Sequence, residues 1–595
     1  MSDQWSFSYE FLPPLALSAH LPLSQVPTLG WIGQVVVVSL EILRNRLQWE
    51  RVHGSEDAAR ALAGELDLSD LKLPPLKVLE FHRNQVDLES DDFQPVEAEA
   101  DSDVSRDGLR AVAERHVAHS QVLGMATGLL GRGVFDPFAI LNEITRAVIE
   151  EERVDPTSME DYFAVYQTLP KPDGLRRDPD ELLEWMLVTG PNPILIEAVA
   201  PGDPRLEGVP LDPKGLQEGR AFVVDLTMLE DLEYGDFPDG PKYSAAPRLW
   251  LMQPHDEDRL RLVGIQLAGD QPALLRGSIP DWPKARLFAL SALATHHEMV
   301  AHLGQTHLLL DPLVVSLHRV LPHGHPVSRL LRPHFEGTIA INYAAHETLV
   351  APKNIVDRLL PTKLSSSLKL AAWGLTSFGV DALALPEYLK SRGTMGAQIT
   401  YPWRDDALLV WRAIEGFVGD FVEANYDDDA AVADDADLQA WHTEATSQQG
   451  GRLAGFASIQ DRQRLVRVLT QVVFTASAGH WGVNQPQADL MACTAVFPVS
   501  AYRPVDEPFD LLKTMPPLDM ANLQIESLSL LGGVVHSRLG RYPLGTFRSK
   551  AEREAVEAFR ERLESVSATI QQRSAERWLP YRVLDPATLP RSINI

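Results

Sequence analysis

A single cysteine, Cys493, stands in 595 residues. Without a second thiol there is no intramolecular disulfide and no thiolate metal cluster, and a lone thiol suits a reducing compartment. Its surroundings, MACTAVF, are those of a small buried hydrophobe. Basic residues are also short, 54 Lys and Arg against 82 Asp and Glu, a formal charge of -28. Such a balance leaves no spare positive face for phosphate contacts, so nucleic acid is not an expected partner. No Lys/Arg cluster marks firm attachment to anionic lipid, and only weak contact with a membrane surface stays open. Long apolar runs are missing as well. The most apolar early stretch, residues 31–43, is broken by Gln34, Ser39 and Glu41, and falls short of the roughly 20 residues a membrane span requires. A basic start followed by an apolar stretch and a cleavage site is absent too, so the expected location is cytoplasmic. Repeats and low-complexity segments are absent.

What is present suits a large folded body. At 45% hydrophobic and 23% charged the chain excludes global disorder. Residues 1–30, rich in proline and aromatics, read as extended chain lying against the body. Residues 31–64 read as a helix whose apolar side serves core packing. An acidic, core-poor linker covers 85–107, and a helical region follows to about 152. Strand-like runs occur at 193–199, 221–226, 249–252 and 260–267. Helical signals dominate from 282, with long apolar segments at 285–321, 407–424 and 463–480. The run DDDAAVADDAD at 427–437 reads as a solvated acidic loop, and 548–578 as a long amphipathic helix. The expected fold is mainly α with a minor β sheet at 190–270. A helical N-terminal extension and linker would cover 1–110, and one catalytic body 111–595.

Eight of the 18 histidines fall between 296 and 334: His296, His297, His302, His307, His318, His323, His325 and His334. Imidazoles this dense repel one another when protonated, so a metal or a hydrogen-bond network usually holds them. A zinc-peptidase helix needs HExxH, but here His297-Glu298 is followed by His302 one residue too late. Positions five apart point about 140° from each other on an α-helix. His302 and His307 could therefore share an ion only where the helix widens to a π-turn, a feature that gathers at functional sites. A histidine-rich helix with hydrogen-bonded core residues also accounts for the cluster. Further on, in FTASAGHWGVNQPQ, His480 and Asn484 lie four apart on one helix face. The amide oxygen of Asn484 is a hard donor, although a satisfied histidine and a helix-terminating asparagine would read the same way.

The spacing His297-x4-His302-x4-His307-x17-His325-x8-His334 resembles the histidine signature of the lipoxygenases at every interval. That family also has a later His-x3-Asn segment and ends in isoleucine, here His480, Asn484 and Ile595. GPNPILI at 190–196, FVVDL at 222–226, Trp282 and RDDALLVW at 404–411 are lesser matches, and the resemblance covers roughly 180–595. It implies one non-haem iron held by His302, His307, His480, Asn484 and the terminal carboxylate of Ile595. Neutral imidazoles and oxygen donors suit such an ion, with manganese as the alternative. His297, His325 and His334 belong to the signature as structural or supporting residues. By analogy Glu298 and Gln487, with His297, would support the ligands through a hydrogen-bonded link between the two helices.

The implied chemistry adds molecular oxygen to a polyunsaturated fatty acid of the linoleate or arachidonate class, giving a hydroperoxide. An iron-bound hydroxide takes the hydrogen atom, and no protein nucleophile is needed. The residue that influences where oxygen enters matches Ala345, with Leu349 packing on the substrate one turn later. Alanine there resembles the type with S products. Some relatives carry a basic residue just before that position, where this chain has Ala344, which leaves the fatty-acid carboxylate without an assigned partner. The β-barrel that opens eukaryotic members is not expected in the first 110 residues, a pattern similar to compact bacterial lipoxygenases. Two other readings stay open at this point: a metal-dependent hydrolase on the histidine cluster, and a non-catalytic lipid-binding homologue.

Overall fold

The computed structural model describes residues 5–25, 28–53, 153–235, 240–269 and 271–595. The expected linker, the helical region at 107–152 and the boundary at 110 lie outside them. The N-terminal segment is more than extended chain. Strands β1 (Phe7–Ser8) and β2 (Leu17–Ser18) pair antiparallel as a short hairpin. Helix α1 (Leu29–His53) follows, burying Trp31, Val35, Val38 and Ile42. Their spacing of three and four puts them on one stripe, the pattern of a helix packed on a core.

Helix α2 (Pro179–Thr189) starts where sequence chemistry dictates: Asp178 accepts from the Asp180 and Glu181 amides, and proline takes the first turn. The sheet is antiparallel throughout, in the order β3 (Glu197–Ala198), β4 (Ala221–Asp225), β5 (Arg248–Met252), β6 (Arg261–Gln266) and β7 (Leu274–Leu275). Three of these strands fall within the expected runs, and β5 overruns its own by one residue, Arg248. The two-residue β7 is too short to leave a period.

The helical body begins with α3 (Asp281–His296), which continues without a break through an 11-residue π-helix (His297–His307) into α4 (Leu308–Val320). Then come α5 (Thr338–Ala344), α6 (Leu364–Thr376), α7 (Pro402–Glu423), α8 (Arg462–Phe474) and the short α9 (His480–Asn484). Last are α10 (Leu518–Gly533) and α11 (Lys550–Glu576). The π-helix lies hard against α6. A Cβ at Gly304 would stand 2.7 Å from the Ala371 carbonyl oxygen, so only glycine permits this approach. Helix α11 packs along α7, with Phe559 stacked on Phe417 at 4.6 Å and Arg577 held 2.7 Å from the buried Asp406.

One expectation is corrected. Residues 427–437 are not a loop but carry two helices, Asp429–Ala433 and Ala436–Thr446. The aspartates are largely exposed, as expected, but two of them are N-caps: Asp428 accepts from Ala431 N at 2.8 Å and Asp435 from Leu438 N at 3.0 Å. Val432, Leu438 and Trp441 between and beyond them are fully buried. Among the described residues no helix is long and apolar enough to cross a membrane, and no β-barrel occurs.

After α11 the chain turns back into the core. Leu539 N donates to Leu589 O at 2.8 Å and Arg591 N to Ser537 O at 2.6 Å, a strand-like seam that draws the tail inward. Arg591, Ser592, Ile593, Asn594 and Ile595 are all buried.

Candidate metal centre

His302 and His307 meet because the backbone between them is π-helical, where five residues make nearly one turn. His480 arrives from the other side. It opens α9 directly after a second π-turn, Thr475–Gly479, which re-aims the α8 rod. The three Nε2 atoms face one another: 3.1 Å from His302 to His480, 3.1 Å from His307 to His480 and 3.3 Å from His302 to His307. All three residues are buried. Burial pushes each imidazole below its ordinary range, His307 to about 3, so all are neutral at pH 7.

The hydrogen bonding of His307 leaves its inner nitrogen free for a cation. His307 Nδ1 lies 2.8 Å from Asn342 Oδ1. The Asn342 amide is oriented by its own Nδ2, which donates to Asp311 Oδ2 at 2.9 Å. The His307 proton therefore sits on Nδ1, and the Nε2 lone pair points inward. Nitrogens about 2.1 Å from one ion lie about 3.0 Å apart at right angles and about 3.4 Å apart at tetrahedral angles. The observed separations fall within that range, so the donor set fits a metal.

Asn484 is buried one turn beyond His480, and its Nδ2 donates to Leu531 O at 2.7 Å. Gln487 Nε2 donates to Asn484 Oδ1 at 3.0 Å and lies 3.3 Å from His302 Nδ1, so one amide touches a residue from each helix. Glu298 behaves differently from the expected link. Its carboxylate stands 3.7 Å from His302 Nδ1 and 3.3 Å from His297 Nδ1, and no hydrogen bond joins it to Gln487 among the described residues. The reason is its place at the start of the π-helix, where both neighbouring imidazoles are nearer. His297 Nε2 bonds to the Val483 carbonyl at 2.8 Å and so pins α9 beside the π-helix. Ile595 is 2% exposed and lines the same cavity as His302 and His307.

The other signature histidines do structural work away from the triad. His325 accepts from Val327 N at 3.2 Å as a helix cap and reaches Asp435 at 2.9 Å. His334 bonds to the Arg591 carbonyl at 2.8 Å and to Tyr542 Oη at 3.2 Å.

A cavity of about 200 Å³ opens beside the triad, lined by His302, His307 and Ile595 at one side and mostly by aliphatic side chains elsewhere. Ala345 and Leu349 both line it, on a third π-turn, Ala345–Leu349. Asn342, Asp311 and the hairpin residues Leu12 and Leu17 line it too, and sequence reasoning missed them all. Nothing in the sequence brings residues 12 and 17 against residue 302. Asn342 did carry a signal, one polar residue in the apolar run TIAINYAA.

A buried imidazole triad beside the chain's tail, facing an apolar cavity in a helical body, defines a candidate metal site at an apolar pocket. The chain belongs to the lipoxygenase family and is an oxidoreductase of the fatty-acid dioxygenase type. The family model for lipoxygenase matches residues 274–522. The linoleate 9/13-lipoxygenase of Pseudomonas aeruginosa is 30% identical over 646 aligned residues, covering 99% of this chain and 89% of that protein. The rat polyunsaturated fatty acid lipoxygenase ALOX15B is 32% identical over 396 residues, 64% of this chain and 58% of that one. The chain thus spans little more than half of that mammalian relative. Among solved structures, a LOX deletion variant crystallised anaerobically in complex with arachidonate matches with a TM-score of 0.69 at 25% identity, covering 77% of this chain and 73% of that one. Family membership takes the place of the hydrolase reading.

Proposed function

We propose that the chain holds one non-haem iron through His302, His307, His480, Asn484 and the terminal carboxylate of Ile595. With it, the chain would convert linoleate- or arachidonate-class fatty acids and O2 into S-configured hydroperoxides. The observation that carries this reading is the convergence of three neutral, buried Nε2 atoms at the wall of an apolar cavity. When bound, iron supplies the one-electron acceptor that lets a hydrogen atom leave the methylene between two cis double bonds. The hydrogen is returned to the peroxyl radical, so that RH and O2 give ROOH.

The chain's own residues do the rest. The aliphatic wall, Met299, Leu303, Leu308 and Leu349 among its members, keeps water from the substrate radical and holds the diene against the triad side. Ala345 stands on that wall with a side chain of one methyl, leaving room for oxygen on one face of the diene. Gln487 and His297 hold α9, and with it His480 and Asn484, against the π-helix.

Among the described residues lining the cavity there is no lysine or arginine. A carboxylate carried deep into such a space would lose its hydration without gaining a full positive partner, a cost of several kcal/mol. The favoured pose has the methyl end innermost, with the carboxylate left where Tyr343, 39% exposed, brings the wall to the surface.

Incubation of purified protein with linoleate and arachidonate under oxygen tests the proposal. Oxygen uptake with rising conjugated-diene absorbance is expected, with an S hydroperoxide by chiral chromatography and one iron per chain by elemental analysis. Manganese in place of iron would revise the metal alone. Absence of both oxygen uptake and bound metal would overturn the reading.

A further inference from the structure

The N-terminal hairpin is tied to the candidate metal centre by a chain of three hydrogen bonds. Ser18 N donates to Asp311 Oδ1 at 2.6 Å. Asp311 Oδ2 accepts from Asn342 Nδ2 at 2.9 Å, and Asn342 Oδ1 receives His307 Nδ1 at 2.8 Å. Asp311 is 2% exposed, so neither bond is exchanged freely for water. The same hairpin is strapped across the body on its outer side: Trp5 stacks on His318 at 3.8 Å, and Arg452 covers the Tyr9 ring at 4.0 Å. On its inner side Leu12 and Leu17 form part of the cavity wall.

An asparagine amide has one oxygen and one nitrogen, so it serves His307 only when the right end faces it. Asp311 supplies the reason for that orientation, because a carboxylate accepts and never donates. Asp311 in turn offers its second oxygen to the hairpin backbone. We propose that Asp311 and Asn342 form a positioning relay that couples closure of the N-terminal hairpin over the cavity to orientation of the His307 imidazole toward the metal. The inference rests on the iron reading above. Coupling of this kind is reciprocal: whatever the hairpin does for iron affinity, iron does for the hairpin.

Two readouts on the full-length protein test it: ferrous-iron affinity by competition with a chelator, and amide hydrogen–deuterium exchange over residues 5–19. Asp311→Ala is expected to weaken iron binding by about tenfold or more, the usual effect of losing a residue behind a metal-ligating histidine. It should also speed hairpin exchange, and stripping iron from the wild type should speed the same amides. If Asp311 merely pins the hairpin, exchange rises while iron affinity stays at the wild-type value, and the proposal fails. It fails also if exchange is unmoved by stripping iron.

Asn342→Ala should lose iron affinity similarly. Should that variant not fold, Asn342→Asp in the Asp311→Ala background serves instead. A carboxylate presents an oxygen to His307 either way up and needs no orienting partner, so it should restore iron affinity while the hairpin stays loose. No restoration would count against the relay. Wild-type protein that neither retains iron nor consumes oxygen with linoleate indicts the iron reading. Wild-type protein that does both, beside an Asp311→Ala variant of equal affinity, indicts the relay alone.

Discussion

His334 Nδ1 donates to the carbonyl oxygen of Arg591 at 2.8 Å, and through that bond a signature histidine holds the tail that ends at Ile595. Its other nitrogen is 3.2 Å from Tyr542 Oη, so both faces of a fully buried ring are committed. His334→Ala strands a buried carbonyl and a buried hydroxyl at about 1–3 kcal/mol each. The melting temperature should drop by several degrees and iron per chain should fall with it, although His334 touches no ion. His325→Ala is the contrast. It removes a helix cap and the contact with Asp435, at about 1 kcal/mol. Thermal melts should register that loss while iron content stays at the wild-type level.

Ile595 is 2% exposed, and Trp31 Nε1 donates to the Asn594 carbonyl just before it. Under the proposed ligand set, adding one residue after Ile595 would move the carboxylate off the triad, so metal should be lost while circular dichroism stays unchanged. His302→Ala should do the same from the opposite side. Full iron content in a C-terminally tagged protein would contradict the ligand assignment.

Ala345 lies on the cavity wall at the start of a π-turn. Ala345→Gly removes one methyl from that wall and frees space on the opposite side of the diene. The enantiomer ratio of the hydroperoxide should shift from S toward R, with a stability cost of about 0.5–1 kcal/mol for glycine within a helix. Chiral chromatography of the linoleate product decides it, and an unchanged ratio would remove Ala345 from stereocontrol.

The pairing of His302 with His307 was legible because its cause is local: a five-residue interval brings two imidazoles together on a widened helix, and the π-helix spans both. His480, 173 residues beyond His307, came only with the family resemblance. The relay was not legible, because Ser18 and Asp311 stand 293 residues apart and only packing brings them together. Charge misled at 427–437 over the loop alone: the aspartates are mostly exposed, but two of them cap short helices that bury Trp441. Glu298 misled differently. Analogy aimed it at Gln487, but the π-helix presents its carboxylate to His297 and His302.

A free carboxylate gains nothing inside the cavity if the methyl end leads, since no lysine or arginine lines it among the described residues. Linoleate methyl ester should therefore be oxidised with kcat within about threefold of the free acid, because the ester sits where the carboxylate would meet water. Parallel oxygen-uptake curves for acid and ester check this. A collapse of turnover with the ester alone would favour an inward-pointing carboxylate and send the search for its partner back to the cavity wall.

Stability should also depend on pH through a charge cluster between α1 and α10. Arg46 pairs closely with Glu50 at 2.7 Å and only loosely with Glu526 at 3.4 Å, and all three side chains are 2% exposed. One guanidinium cannot neutralise two carboxylates, so burial pushes Glu526 up to about 7 from 4.5, and Glu50 adds to the rise against the pull of Arg46. The folded state thus binds this proton more tightly than the unfolded chain. Its contribution is complete below pH 4.5 and is lost as pH climbs through 7, a swing of order 3 kcal/mol. Glu526→Gln keeps an oxygen for Arg46 and removes the titration. Denaturant melts should show the variant gaining on the wild type between pH 5 and pH 8, by about 1–3 kcal/mol at the upper end. A difference that stays constant across that range would mean that Glu526 is already charged in the fold, with Arg46 shared between the two acids.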